Sequence, residues 1–511
     1  MDIKRAGSIM VQGTASSVGK SLICAGLCRI FKQDGYKVVP FKSQNMALNS
    51  YITKDGGETG RAQVMQAEAA GVEPSVEMNP ILIKPIENQG AQVIINGVVL
   101  RNVNAENYNY SKPELAVMLK GIYDGLAEEN DIVVIEGAGS PVEINLRDKD
   151  IVNMGMAEIA DAPVVIVGDI DRGGIFASLA GTMLLLTDQE RARVKGVIIN
   201  KFRGDINLFT SGIKMLEDII KVPVLGVLPY IKLNLDDEDG ISDERFGRKY
   251  SDGKADIDIA VVRFPHISNY TDFNALENIP GVIVRYVDSS DQFGKPDLII
   301  LPGSKNTIGD LLAIRKAGIE QHIKKLHSDG VPILGVCGGY QMLGREIVDP
   351  YGIEAQVPVI DGIGLLDMKT IFQKEKVTTQ VQAVVTDGNG ILDGLKGTTV
   401  DGYEIHMGVT EFSESCLPFL KIDKVLGESC LLLDGVSNLD SNVFGTYIHG
   451  IFDSGDFTVG LINNLRKRKG LDAIDYNSMS YKEFKEVEYN RLAEMLRTNL
   501  DMKAIYDIVN I

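Results

Sequence analysis

Short apolar runs recur along this chain, each too short for a helix and each ending in a turn that carries polar chemistry. Residues 8–11, 37–41, 131–135, 163–168, 197–199 and 223–227 form one series; residues 257–262, 297–301 and 332–336 form a second. Unbroken apolar runs of this length suit strands covered on both faces. Segments with helical apolar spacing, such as residues 22–31 and 60–70, lie between them. Parallel strands need a crossover and a helix supplies it, so this alternation predicts an α/β chain. We expect an N-terminal doubly wound, mostly parallel sheet over residues 1–232 and a second α/β domain over residues 257–460. Residues 233–256, rich in Asp, Glu, Gly and Lys, read as an acidic linker. Helical spacing over residues 461–511 predicts a C-terminal appendage.

Composition narrows the function. The 511 residues carry a formal charge of -18, which would repel nucleic acid or an anionic membrane surface. No apolar stretch reaches the length of a membrane span and no signal peptide is evident, so a cytoplasmic location is expected. Five cysteines without a CxxC pair suggest a reducing compartment and no disulfide or zinc framework. Cys24 and Cys28, four apart on a helical stretch, read as thiols of the core or surface rather than a metal pair.

The most committed chemistry sits after the run 332–336, which delivers Cys337 into Gly338-Gly339-Tyr340-Gln341. A cysteine on such a strand-to-helix elbow faces backbone N–H groups and a helix N-terminus, which favour thiolate and an oxyanion. A small buried cysteine before a glycine turn is the plain alternative. Strand 297–301 leads into Pro302-Gly303-Ser304, a second turn able to offer N–H groups. Five histidines in a chain this long make each informative. His449, in Gly445-Thr-Tyr-Ile-His-Gly450, is the candidate base for Cys337, whereas His406 is open between a substrate contact and a structural role.

At the other end, a short strand enters Gly13-Thr-Ala-Ser-Ser-Val-Gly19-Lys20-Ser21 and a helix follows. That context is a phosphate-binding loop: N–H groups of Gly13, Thr14, Ser17 and Gly19 cradle phosphates, Lys20 neutralises their oxygens, and Ser21 can ligate Mg²⁺. One residue more than the usual GxxxxGK[ST] stands between the glycines, a variant similar to that of dethiobiotin synthetases and related carboxylate-activating enzymes. Glu136, at the tip of a buried run, is a candidate second Mg²⁺ contact. Lys42, Gln44 and Asn45 leave another strand end, where ligands of open α/β sheets bind. They are candidates for the γ-phosphate or an acidic substrate, with a solvated loop as the alternative. Asp171 and Arg172, before Gly173-Gly174, could bind phosphate or substrate, or cap a helix.

The elbow, with Gly303 upstream and His449 downstream, resembles class I glutamine amidotransferase domains, which release ammonia from glutamine through a cysteinyl thioester. That likeness implies Cys337 as nucleophile, His449 as base, and N–H groups of Gly303 and Gly338 as the oxyanion hole. Such domains usually carry a glutamate two residues after the histidine; Ile451 stands there instead. The same absence marks the branch that amidates corrinoids, and leaves open what orients His449. The stretches 41–46, 136–145, 169–174, 269–274 and 402–406 resemble the cobyric acid synthase family within that branch. The resemblance implies ATP and Mg²⁺ as cofactors, glutamine and a corrinoid as substrates, Asn200 and Pro229 at the nucleotide base, and Asp171, Arg172, Asn269 and Asp272 in the corrin pocket. The competing readings are a cobyrinic acid a,c-diamide synthase and a regulatory phosphate-loop ATPase with a degenerate second domain.

Overall fold

The structure, a computed structural model, describes residues 6–86, 90–103, 112–235, 255–354, 357–474 and 481–511. They fold into two compact units that are not simple halves of the chain. One takes Met1–Ala47, Glu58–Asp239 and Lys485–Ile511; the other takes Leu48–Gly57 and Gly240–Phe484. Most of the expected linker, residues 236–254, lies outside the described residues.

In the first unit, β1 (Gly7–Gly13), β2 (Val38–Phe41), β3 (Ile132–Glu136), β4 (Val164–Asp169), β5 (Val194–Phe202) and β6 (Val224–Pro229) form a parallel sheet in the order β6-β5-β4-β1-β3-β2. All six apolar runs of the first series are strands of this sheet. The order reverses beside β1, so the loop after β1 opens at the switch point where α/β sheets bind ligands. Its neighbours β3 and β4 end there on Glu136 and Asp169. The helix α1 (Lys20–Gln33) follows that loop, and α2 (Arg61–Ala70) packs beside it. Cys24 and Cys28 on α1 are fully buried in the core.

In the second unit, β7 (Ile257–Val262), β8 (Val282–Val287), β9 (Leu298–Leu301), β10 (Ile333–Val336), β11 (Met368–Val385), β12 (Thr399–Phe412), β13 (Cys416–Val425), β14 (Glu428–Asn438) and β15 (Val443–Thr446) share one sheet. The order β8-β7-β9-β10-β15 is parallel, and antiparallel β14, β13 and β11 extend it, with β12 paired to β11. The long β11 alternates buried and half-exposed residues at both ends, the period-two pattern of a strand covered on one face. Two helices follow the two glycine turns: α3 (Thr307–Lys316) after the Gly303 turn and α4 (Gly338–Leu343) after Cys337.

The C-terminal segment is divided rather than a separate appendage. Helix Gly455–Arg468 belongs to the second unit, while the chain from Lys485 onward belongs to the first. There Leu492 and Leu496 lie over Gly26 of α1, where a Cβ would stand 2.2 Å from Leu496 Cδ1. Lys485 and Tyr489 hold Glu68 of α2, and Arg29 pairs with Glu486. These helices complete the core behind the phosphate loop.

Candidate active site

Cys337 sits between β10 and α4 at φ 50 and ψ -108, a backbone conformation strained for any residue with a Cβ. Its glycine neighbours allow it. A Cβ on Gly335 would lie 2.6 Å from Tyr340 Cα, and one on Gly339 would lie 2.0 Å from Leu301 O. The strand and helix thus meet at backbone contact distance and thrust the thiol out of the turn, as a nucleophile elbow does. Gly339→Ala is expected to cost about 1–3 kcal/mol of stability, the range for forcing volume into a packed site. A thermal melt reads that loss, and slower alkylation of Cys337 reads the displaced elbow.

His449 lies at the end of the neighbouring strand β15 and is 1% exposed. Its Nδ1 is 2.7 Å from Asp272 Oδ2, and Asp272 Oδ1 accepts from the N–H of Gly450 at 3.0 Å. The Cys337 sulfur acts on the ring electrostatically, and its Sγ–H donates to the Ile405 carbonyl at 3.6 Å. Burial by itself disfavours the charged imidazole. The Asp272 carboxylate and the Cys337 sulfur outweigh it, and His449 is pushed up to about 10. Sulfur, ring and carboxylate thus lie together as a buried candidate nucleophile, acid–base group and orienting group. Asp272, which the resemblance placed in the corrin pocket, is the carboxylate that bonds the His449 ring, a contact that no residue at 451 supplies. Asn269, expected in the same pocket, donates from Nδ2 to Tyr403 Oη at 3.1 Å, and Tyr403 stacks on the His449 ring with centroids 5.4 Å apart.

The glycine turns converge on this group. A Cβ on Gly303 would stand 3.0 Å from His449 Cε1, and one on Gly338 would stand 2.9 Å from the Ser304 nitrogen. Gln341, buried at the first turn of α4, accepts from Thr307 Oγ1 at 3.3 Å and donates to Tyr447 Oη at 3.3 Å. His406 stacks on Tyr447 with centroids 3.8 Å apart, and its Nδ1 bonds the Gly408 carbonyl. Those contacts satisfy a structural role. Buried Asp434 accepts from the N–H of Tyr447 and from Thr446 Oγ1, fixing the strand end that presents His449.

The loop of the first unit has the shape of an anion cradle. Gly19 at φ 99 and Ser17 at φ 58 turn the backbone before α1. Lys20 Nζ donates to Ala15 O at 3.2 Å and lies 3.5 Å from Gly139 O. Glu136 Oε1 accepts from Ser21 Oγ at 2.7 Å and Lys42 Nζ at 2.8 Å, while Oε2 accepts from Gln66 and Gln63. Burial would raise the Glu136 carboxyl, but the Lys42 and Lys20 ammoniums and the bonds from Lys42 and Ser21 hold it below its ordinary value. A hydroxyl and an ionised carboxylate together are hard oxygen donors, so the pair fits Mg²⁺.

The other expected contacts separate. Asn45 is buried and bonds Gln63, and Gln44 pairs with Ile81 in a small sheet. The Asn200 amide donates to Val18 O at 2.8 Å, bracing the loop. Its neighbour Lys201 reaches Ser17 O and Asp169 Oδ2 at 2.7 and 2.9 Å. Asp171 pairs with Arg203, which lies over the Tyr230 ring beside exposed Pro229. The Arg172 side chain is 73% exposed.

No described helix is long and apolar enough to cross a membrane. Residues 9–241 match the CobQ/CobB/MinD/ParA nucleotide binding domain, and residues 258–457 match the CobB/CobQ-like glutamine amidotransferase domain. Curated relatives named cobyric acid synthase match almost end to end. That of Thermoanaerobacter sp. (strain X514) is 54% identical over 502 residues, covering 98% of both chains. That of Alkaliphilus metalliredigens (strain QYMF) is 54% identical, covering 98% of this chain and 99% of its own. That of Clostridium botulinum (strain Langeland / NCTC 10281 / Type F) is 56% identical with the same coverage. With both domains matched and more than half of the residues shared across that length, this chain belongs to the cobyric acid synthase family.

Proposed function

We propose that this enzyme uses ATP and glutamine to amidate the b, d, e and g carboxylates of adenosylcobyrinic acid a,c-diamide, giving adenosylcobyric acid. The observation that carries the reading is the buried Cys337–His449–Asp272 group in a chain that also carries an intact phosphate loop. The Cys337 thiolate attacks the carboxamide carbon of glutamine. N–H groups of Gly303 and Gly338 receive the developing oxyanion, and His449 protonates the departing ammonia. Water then attacks the thioester, with His449 accepting its proton, and glutamate leaves. In the first unit a substrate carboxylate attacks the γ-phosphoryl of ATP, giving an acyl phosphate and ADP. Lys20 holds the phosphate oxygens, Ser21 and Glu136 would hold Mg²⁺, and the cation when bound neutralises charge on the transferring group. Ammonia attacks the acyl carbon, phosphate leaves, and a carboxamide remains.

Mass spectrometry with adenosylcobyrinic acid a,c-diamide, MgATP and ¹⁵N-amide glutamine tests this. Up to four successive labelled amidations are expected. Labelling of cobyrinic acid alone would transfer the reading to an a,c-diamide synthase, and no consumption of ATP or glutamine would favour a regulatory ATPase.

Asp272→Asn is expected to lower glutamine-dependent kcat about ten- to a hundredfold while ammonia-dependent synthesis persists. The sign of its pH effect follows from His449. Its native value lies above the ordinary 6.5, so the stabilisation is full below about pH 6.5 and lost as pH rises through about 10. Removing the Asp272 charge moves the alkaline fall of kcat/KM to lower pH. An unmoved alkaline limb would count against Asp272 as the orienting group.

A further inference from the structure

Near its end, β5 carries Asn200-Lys201, and both side chains turn to the phosphate loop of the same unit. Successive side chains of a regular strand point to opposite faces, so one of the two should face away. Lys201 breaks the alternation at φ 61, a left-handed conformation that a residue with a Cβ rarely takes. The two side chains then reach adjacent carbonyls. The Asn200 amide donates to Val18 O at 2.8 Å, and Lys201 Nζ donates to Ser17 O at 2.7 Å. A Cβ on Gly19 would stand 2.3 Å from Asn200 Nδ2, so loop and strand end meet with no space between them.

Ser17 is strained in the same way. At φ 58 it is the one residue of the loop Gly13–Ser21 that carries a Cβ and is held left-handed. Glycine would take this backbone freely, whereas serine resists it. Such a conformation persists where the surroundings over-determine it, and here they do so through Lys201. The lysine is itself anchored, with Asp169 Oδ2 at 2.9 Å from Nζ. Asp169 stands beside Asn200 in the register of β4 and β5, its Oδ1 accepts from the N–H of Asp171, and its side chain is 5% exposed. The ammonium is thus fixed between the carboxylate of one strand end and a carbonyl of the loop.

We propose that Lys201 is a positioning residue of the phosphate loop: anchored on Asp169, its ammonium holds Ser17 left-handed, so that the loop N–H groups converge before a phosphate arrives. The reason is energetic. A cradle of N–H groups binds an anion well only when it need not reorganise to do so. Convergent N–H dipoles repel one another when no anion lies between them, and the strain at Ser17 adds to the tendency to relax. The bond from Lys201 to the Ser17 carbonyl opposes both. Asn200 holds the next carbonyl, but Val18 is not left-handed, so Ser17 is where the loss of a brace would show.

This inference rests on the phosphate-loop reading, and its test separates the two. Removing Lys201 alone would leave the Asp169 charge beside the bound phosphates, so the main variant is Asp169→Asn/Lys201→Ala. MgATP affinity is measured on the full chain by calorimetry, beside a thermal melt and amide exchange over residues 14–19 without nucleotide. The double variant is expected to bind MgATP about tenfold more weakly and to exchange those amides at least about fivefold faster. In a Ser17→Gly background the same removal is expected to change the affinity less than about twofold, because glycine takes this backbone without support. Lys201→Gln, whose amide offers two N–H groups to the same two oxygens, is expected to lose less than about threefold. Equal losses with serine and with glycine at position 17 would mean that the lysine acts on the nucleotide itself, and would overturn the brace. An unchanged affinity in the double variant, or a loss in Lys201→Gln as large as in the double variant, would overturn it too. A chain that binds no MgATP, yet whose loop amides exchange faster in the double variant, would keep the brace and overturn the phosphate-loop reading.

Discussion

Cys337→Ser is expected to abolish glutamine-dependent amidation while synthesis from free ammonia continues. The elbow holds the side chain at a strained φ of 50 whatever atom it carries, so serine enters the same geometry with no added volume. Its hydroxyl, however, is far less acidic than a thiol and supplies no ready anion to attack the amide. Nothing else in the described group is a nucleophile, so glutamate release should fall by at least about 10³-fold, the scale seen when a nucleophile is removed. Ammonia supplied at high concentration bypasses this step, because Lys20, Ser21 and Glu136 belong to the other unit and are untouched. The check is carboxamide formation from ¹⁵N-glutamine and from ¹⁵N-ammonium in parallel. Loss of both would show that the two half-reactions do not divide between the units as proposed.

The legible parts of this site were those whose chemistry is local in the chain. Glycine spacing around Cys337 and around Lys20 predicts an elbow and a cradle because each is built by a few consecutive residues, and both stand as expected. Glu136 was legible from its place at the tip of an apolar run. Asp272 was not: it meets His449 across 177 positions, from a short turn with no strand pattern of its own. A carboxylate two residues from the histidine is a sequence signal, whereas one supplied by the fold is not. The same holds for Leu48–Gly57, whose composition gives no sign that it folds with the second unit. Lys201 carries a signal of its own, since it follows Asn200 at a strand end of the kind that faces ligand. The long ribbons β11 to β14 also had one, in their period-two burial, but short apolar runs draw the eye to parallel strands first.

Lys20→Ala should stop synthesis from either nitrogen source, which distinguishes it from every change around Cys337. Lys20 is 2% exposed, and its Nζ is held by carbonyl oxygens of Ala15 and Gly139 on opposite sides of the cradle. An ammonium fixed there by weak neutral acceptors is preorganised for phosphate oxygens, and it costs little reorganisation when charge develops on the transferring phosphoryl. Removing one such group costs about 10²–10³ in kcat. The loss also deprives Glu136 of one of the two charges that hold its carboxyl low, though Lys42 remains in contact with it. The fold should survive, because the loop's shape rests on Gly19, Ser17 and the Asn200 bond to Val18 O rather than on the lysine. The measurement is ADP release with saturating ammonia, beside a thermal melt and the basal rate of glutamate release. Normal ADP release would remove the phosphate loop from the reaction. Lost ADP release with basal glutamate release intact would place the chemical defect at the carboxylate-activating step alone.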